Sequence, residues 1–325
     1  MTLDKNTSKR MPLILSSIGG VLLIVWAVAT VVPVLRGLML DFAASFLFNF
    51  VVTGALWWAS HQSEGDVRSF WRWLAWGWML NIVGNLAWAA HDFVVGESLA
   101  ILSWIDGFYI ARYGLVFWAF WRYPRRRTRA RWTLYVTLLA AATALIWAAL
   151  FRPVMTTVTQ PLLYFFGGAL YPIMDVVLVY AGLTAWTYSA DDQMRAVLRW
   201  LVAAMVAYGV ANWINFGARS ASLDVFSLVA GLFWLLADVG TGVAALSATS
   251  RPVPASMRPR VAPSSPLLAR VPSFAAFLTM GLLVIDWIIR SAVDAMLLVC
   301  AVIALAASAY RWLLLKKEDN DESGP

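Results

Sequence analysis

The sequence predicts an all-α fold, a polytopic integral membrane bundle of about ten transmembrane helices. Hydrophobic residues make up 61% of the chain and charged residues only 13%, a balance too apolar for a soluble domain. Apolar blocks recur from Pro12 to Leu315, each close to the ~20 residues that a helix needs to cross the hydrocarbon core. The basic residues are concentrated in short segments between blocks. A helix satisfies its own backbone hydrogen bonds in lipid, which favours helices over any open sheet.

Ten spans are predicted. The first lacks a small-residue cleavage site before Arg36, so we interpret it as a retained helix rather than a signal peptide. The spans are 12–35, 39–61, 69–93, 98–121, 131–151, 160–187, 193–216, 222–248, 272–290 and 292–315.

The spans predict a domain organisation in which an eight-helix body is followed by a separate pair of helices. Proline-rich composition over 249–271 indicates an extended cytoplasmic linker, and acidic residues over 316–325 predict a disordered tail. The segments are a cytoplasmic N-terminus (1–11), the body (12–248), the linker (249–271), a terminal hairpin (272–315) and the tail (316–325).

Four basic clusters fall on one side of the membrane when the chain crosses it ten times. By the positive-inside rule, both termini are then cytoplasmic. This rule also accounts for the net charge of +7, so no nucleic-acid partner is predicted. The densest cluster, Arg122 to Arg131, is interpreted as a topology determinant, with docking of anionic lipid or a partner as the alternative. The clusters are Lys5, Lys9 and Arg10; Arg122 to Arg131; Arg251, Arg258, Arg260 and Arg270; and Lys316 and Lys317.

An internal repeat is predicted, with copies at about 68–121 and 195–248. Arg68, the Arg72-Trp73-Leu74 run and Asn85 match Arg195, the Arg199-Trp200-Leu201 run and Asn212 at one constant offset. The two copies have a parallel orientation in the predicted topology. Parallel repeats occur in some transporters, and they also arise from simple duplication of a helical hairpin.

Polar side chains inside the spans form the candidate ligand-binding or ion-binding set. Lipid disfavours such groups, so they are expected to face other helices. Arg112 cannot shed its proton, and we expect it to meet a carboxylate or carbonyl groups, with Asp175 and Asp238 as the better carboxylate candidates. The set is either a central pocket or a group of structural interhelical hydrogen bonds. Its members are Asn85, Asp106, Tyr109, Arg112, Asp175, Asn212 and Asp238.

A separate pair, Asp286 and Arg290, lies one turn apart and predicts a local ion pair. Composition excludes an intramolecular disulfide, a haem held by two histidines and a retinal Schiff base. Cys300 is the single cysteine, His61 and His91 fall near opposite faces, and no lysine lies inside a predicted span. No catalytic residue or metal site is predicted, no cofactor is identified, and the protein is not expected to be an enzyme.

The run Phe70 to Leu74, the run Gly84 to Trp88 and the run Ser103 to Tyr109 resemble a pattern in certain bacterial polytopic membrane modules. Tyr171 to Asp175 fits the same pattern. Those modules often precede diguanylate cyclase (GGDEF) and EAL phosphodiesterase domains and are thought to be sensory. The resemblance implies a location in the bacterial cytoplasmic membrane. The last span is followed here only by Lys316 to Pro325, so a sensory role is expected to need a separate output partner.

These observations predict a non-catalytic, receptor-like or sensory membrane module that binds a ligand or partner in a polar core. Its expected partners are the lipid bilayer and a separate signalling or membrane protein. The alternative is a small-molecule or ion transporter that uses the buried Asp and Arg residues. A membrane-embedded enzyme or an assembly factor is a third class.

Overall fold

The computed structural model describes residues 5–32, 40–95, 103–123, 131–148, 152, 161–189, 191–221, 224–249 and 266–322. Nearly all of these residues are helical, which confirms the all-α class. One helix coincides with each predicted block. The helices are α1 Lys5–Val31, α2 Leu40–Gln62, α3 Gly65–Val95, α4 Asp106–Arg122, α5 Arg131–Ile146, α6 Pro161–Tyr188, α7 Asp192–Ala221, α8 Asp224–Thr249, α9 Pro266–Arg290 and α10 Ala295–Glu322.

Within the described ranges, four stretches are long and apolar enough to cross a membrane. They lie in α7, α8, α9 and α10, at Asp192–Asn215, Val229–Thr249, Ser273–Arg290 and Ala295–Leu314. Shorter apolar stretches occur in α1, α5 and α6. The composition of these helices supports a membrane protein, and the crossing of all ten stays a prediction.

The helices group into two compact units, and this grouping differs from the predicted division into an eight-helix body and a separate hairpin. Unit 1 comprises residues 1–125 and 181–260, and unit 2 comprises 126–180 and 261–325. The helices α5, α9 and α10 therefore belong together, although they are distant in sequence. Packing between small side chains decides this grouping, and hydropathy alone carries no information about which apolar faces meet.

In unit 1, α1 packs on α2 and α8, α2 packs on α3 and α8, α3 packs on α4, and α7 packs on α8. Trp71, Leu74 and Phe120 are fully buried. Two glycines of α3 allow α4 to approach closely. A Cβ at Gly77 would lie 3.1 Å from a methyl group of Val116, and a Cβ at Gly84 would lie 2.9 Å from the Tyr109 ring. The α3–α4 contact therefore depends on missing side chains.

In unit 2, α5, α9 and α10 pack pairwise. Ala140, Ala276 and Ala304 form a buried cluster in which small side chains allow close helix contact. The opposite face of α9 carries large apolar side chains, with Phe274 at 70% and Phe277 at 77% exposure. Such one-sided exposure is what a helix facing lipid tails requires.

The last two helices are longer than predicted. α9 begins at Pro266, where the fixed φ and missing N–H of proline suit the first turn of a helix. α10 continues through Glu322, so most of the segment predicted as a disordered tail is helical. Lysine and glutamate are good helix formers, and extending an existing helix costs little. The rest of the predicted linker, 250–265, and the arginine-rich loop at 124–130 lie outside the described residues.

We expect Gly84→Ala to destabilise the protein by about 1–3 kcal/mol, because the new methyl group would displace the Tyr109 ring. Thermal unfolding of the purified protein in lipid nanodiscs measures the effect. Gly107→Ala is the matched control, because a Cβ there meets nothing within 4 Å. Equal melting temperatures for the two variants would contradict the proposed close contact.

Candidate functional site

The centre of the candidate site is the guanidinium group of Arg112, which α4 places inside unit 1. The side chain is buried, with 5% exposure. Its guanidinium carbon lies 4.6 Å from the ring centre of Trp78 and 4.1 Å from the ring centre of Tyr208. The Tyr113 ring is more distant, at 6.0 Å. Cation–π attraction to rings from α3 and α7 therefore holds the charge.

The predicted direct pairing of Arg112 with a carboxylate is wrong for Asp238. None of the ion pairs among the described residues includes Arg112. Asp238 is buried in the same unit, and its Oδ1 accepts a hydrogen bond from Trp78 Nε1 at 3.0 Å. Trp78 thus touches both charged groups, with its ring face on Arg112 and its N–H on Asp238. No sequence pattern predicted that one indole contacts both charged side chains.

Two asparagines at equivalent positions of the predicted repeat form interhelical hydrogen bonds. Asn85 of α3 accepts a bond from the Tyr109 hydroxyl of α4 at 2.7 Å. Asn212 of α7 accepts a bond from Trp234 Nε1 of α8 at 3.0 Å and donates to the Tyr113 hydroxyl at 2.8 Å. Each such bond contributes about 1 kcal/mol inside a membrane bundle. They fix α3, α4, α7 and α8 around Arg112.

Asp106 contacts the turn that precedes α4. It accepts hydrogen bonds from the backbone N–H of Ser103 at 2.6 Å and from the Ser103 hydroxyl at 3.0 Å. These bonds hold the turn from which α4 begins. Asp175 is buried on α6 in unit 2, so the structure assigns it to a different unit from Arg112.

The candidate residues predicted from the sequence also omitted part of the polar interior. Asn81 Nδ2 donates to Asn49 Oδ1 at 3.0 Å and joins α2 to α3. In the sequence, Asn81 precedes Asn85 by one helical turn, whereas Asn49 is flanked by apolar residues. Tyr208 occupies the position equivalent to Asn81 in the predicted repeat. That equivalence is the sequence signal that could have identified Tyr208 as part of the polar interior.

A second polar cluster lies in unit 2. The predicted pair is present, with Arg290 Nε 3.5 Å from Asp286 Oδ1. The main partner of Asp286 is Arg152, whose Nε also lies 3.3 Å from Asp294 Oδ2. Trp147 Nε1 donates to Asp294 at 3.1 Å. Asp294 also accepts bonds from two backbone N–H groups of the first turn of α10, so it is the cap of that helix. This cluster is mutually neutralised and structural.

The unit 1 site combines a buried guanidinium and a buried carboxylate with aromatic side chains. Within the described part of the chain, no cluster of three or more His, Cys, Asp or Glu side chains could hold a metal ion. No family model, curated protein or solved structure matches this chain. The Nε atom of Arg112 is buried and has no acceptor among the protein atoms. One hydrogen-bonding direction of a permanent cation is therefore free.

We expect Trp78→Phe to destabilise the protein by about 1–3 kcal/mol, because it leaves the buried Asp238 carboxylate without its indole donor. The phenyl ring keeps an aromatic face against Arg112. Denaturant unfolding in mixed lipid–detergent micelles measures the loss. Trp88→Phe on the same helix is the control, since Trp88 is 39% exposed. Equal losses for the two variants would show that the Trp78–Asp238 bond contributes nothing.

In unit 2, we expect Arg152→Gln to cost about 3–5 kcal/mol, because it leaves the carboxylates of Asp286 and Asp294 buried without their shared cation. The same unfolding assay measures it. Arg290→Gln is the control, because Arg290 contacts Asp286 from a 52% exposed position and should change stability by less than about 1 kcal/mol. The reverse order of effects would assign the main pairing to Arg290.

Proposed function

We propose that the protein is a non-catalytic, receptor-like membrane module that binds a ligand or partner in the polar core around Arg112. The observation that carries this proposal is a buried guanidinium held by two aromatic rings instead of a carboxylate. A purely structural arginine in an apolar bundle gains most from a direct ion pair, because burying an unpaired charge costs several kcal/mol. Here the rings of Trp78 and Tyr208 lie close to the guanidinium, and its Nε has no protein acceptor.

The proposed setting is the bacterial cytoplasmic membrane, with ten spans and both termini cytoplasmic. Four apolar stretches of sufficient length support membrane embedding, and a helix coincides with each of the ten predicted blocks. The basic clusters at the predicted cytoplasmic ends support the orientation.

The proposed repeat is supported by local geometry at equivalent positions. α3 begins at Gly65 and α7 begins at Asp192, and these positions are related by the same offset as Arg68 and Arg195. In each copy, the equivalent asparagine accepts a hydrogen bond from the helix that follows. A duplicated helical hairpin would thus contribute both sides of the Arg112 site.

A separate protein would carry the output. The motifs that resemble sensory modules of GGDEF and EAL proteins lie in α3, α4 and α6, and two of these helices bear residues of the polar core. The continuation of α10 through Glu322 extends a helix past the predicted span, toward the side where an output partner would dock.

The transporter alternative is favoured by one observation. Arg112 and Asp238 lie buried in the same unit and contact the same indole, so opposite charges are close enough to be coupled along a path. Nothing in the described residues favours the third class, a membrane-embedded enzyme or an assembly factor.

We expect native mass spectrometry of the full chain, released from its own membranes in nanodiscs, to reveal a second protein at fixed stoichiometry. A receptor that acts through a separate output protein is expected to bind that protein. Release from the same membranes with an unrelated tagged membrane protein is the control for non-specific capture. A lone chain that carries a small molecule would contradict the sensory proposal and favour the transporter.

A further inference from the structure

We propose that Arg72 of α3 and Arg199 of α7 form two equivalent sites for the phosphate of an anionic phospholipid in the cytoplasmic leaflet. This inference rests on the proposed repeat and membrane orientation, and it is independent of the Arg112 site. It follows from the residues that the two copies of the repeat share, because all but one kind of them have a role inside the protein.

Two of the shared pairs are engaged inside unit 1. Leu74 and Leu201 are fully buried, with 0% and 1% exposure. Asn85 and Asn212 each accept a hydrogen bond from the helix that follows. Contacts within the protein therefore account for the presence of these residues in both copies.

The first shared arginine also contacts the protein in both copies. Arg68 Nε donates a hydrogen bond to the backbone oxygen of Ser63 at 2.8 Å, in the turn before α3. Arg195 is ion-paired with Asp192 in the first turn of α7. Protein groups therefore account for this pair as well.

The second shared arginine has no such partner. Arg72 and Arg199 are both exposed, and neither takes part in a hydrogen bond or an ion pair within the described part of the chain. Trp73 and Trp200 follow them directly, and Trp200 is 46% exposed. A positive charge that recurs at one position of the repeat without a protein partner indicates a partner outside the protein.

The two arginines lie at the same distance from the predicted cytoplasmic ends of their helices. Arg72 lies seven residues after Gly65, and Arg199 lies seven residues after Asp192, which is about 10 Å along each helix axis. An arginine so placed can extend its charged end to the headgroup level while its stem lies against lipid tails. The exposed side chains further along the helices include Trp76 and Val83 on α3, and Val206 and Val210 on α7.

A phospholipid phosphate fits this position by charge and by geometry. A guanidinium binds phosphate oxygens through two parallel hydrogen bonds. The cytoplasmic leaflet carries a negative surface potential that attracts arginines close to it. The neighbouring indoles suit the same region, because tryptophan is enriched at the membrane–water interface. An anionic lipid is preferred over phosphatidylcholine, whose choline group carries a compensating positive charge.

Lipid retention by the full chain tests the proposal. The protein is placed in nanodiscs that contain equal amounts of phosphatidylglycerol and phosphatidylcholine, and native mass spectrometry identifies the lipids that stay bound after release. The excess of phosphatidylglycerol over phosphatidylcholine is compared between the unaltered protein, Arg72→Gln, Arg199→Gln and the double variant. Both side chains are exposed, so these variants are expected to fold like the unaltered protein.

We expect the excess of phosphatidylglycerol to fall by about half in either single variant and almost completely in the double variant, because two equivalent arginines contribute to it. Arg195→Gln is the matched control. It removes the same charge one turn away from Arg199 on α7, but Asp192 already neutralises that charge in the protein. The control should therefore keep the excess of the unaltered protein.

An equal excess in the double variant and the unaltered protein, or an equal loss in Arg195→Gln, would overturn the proposal. Release from native membranes provides a second measurement. If it yields a protein whose binding is lost in the double variant, these arginines belong to a protein interface and the lipid proposal is wrong. The receptor proposal fails separately, since it depends on a partner protein of the unaltered chain and not on which lipid is retained.

Discussion

The charge of Arg112 constrains the interior of unit 1 more than any other single feature. A guanidinium cannot release its proton, so burying it in an apolar helical unit demands compensation at every neighbouring position. Trp78 and Tyr208 supply that compensation through their ring faces. Trp78 in turn ties Asp238 to the same centre through its N–H. The glycine-mediated approach of α3 to α4 brings these groups within reach, since Gly77 lies beside the Arg112 backbone.

The buried arginines of the two units are stabilised by different kinds of partner. In unit 2, Arg152 contacts two carboxylates directly, and one of them, Asp294, also caps α10. The charges of this cluster neutralise one another, and Asp294 holds the first turn of α10 in place. In unit 1, aromatic rings take the place of carboxylates. Rings stabilise a cation without an ion pair, and Nε of Arg112 is buried without a protein acceptor.

The asparagine bonds around this centre explain how the arrangement is held. Asn85 and Asn212 each accept a hydrogen bond from an aromatic side chain of the following helix, and Asn212 also reaches Tyr113 on α4. Lipid offers no alternative partners to these amides, so the bonds specify which helices are neighbours. The polar interior of unit 1 is thus built from amide and aromatic side chains around Arg112 and Asp238.

The sequence by itself determined the all-α class, the approximate position of each helix and the burial of Arg112 and Asp238. These features follow from hydropathy and helical periodicity, which are local properties of the chain. Only the tertiary structure decided that α5, α9 and α10 form one unit, and that Arg112 meets aromatic rings. Partner choice depends on which helix faces meet, and that is set by small residues and side-chain shape across distant segments. Asp106 shows the same limit, because its hydrogen bonds with Ser103 became visible only in the structure.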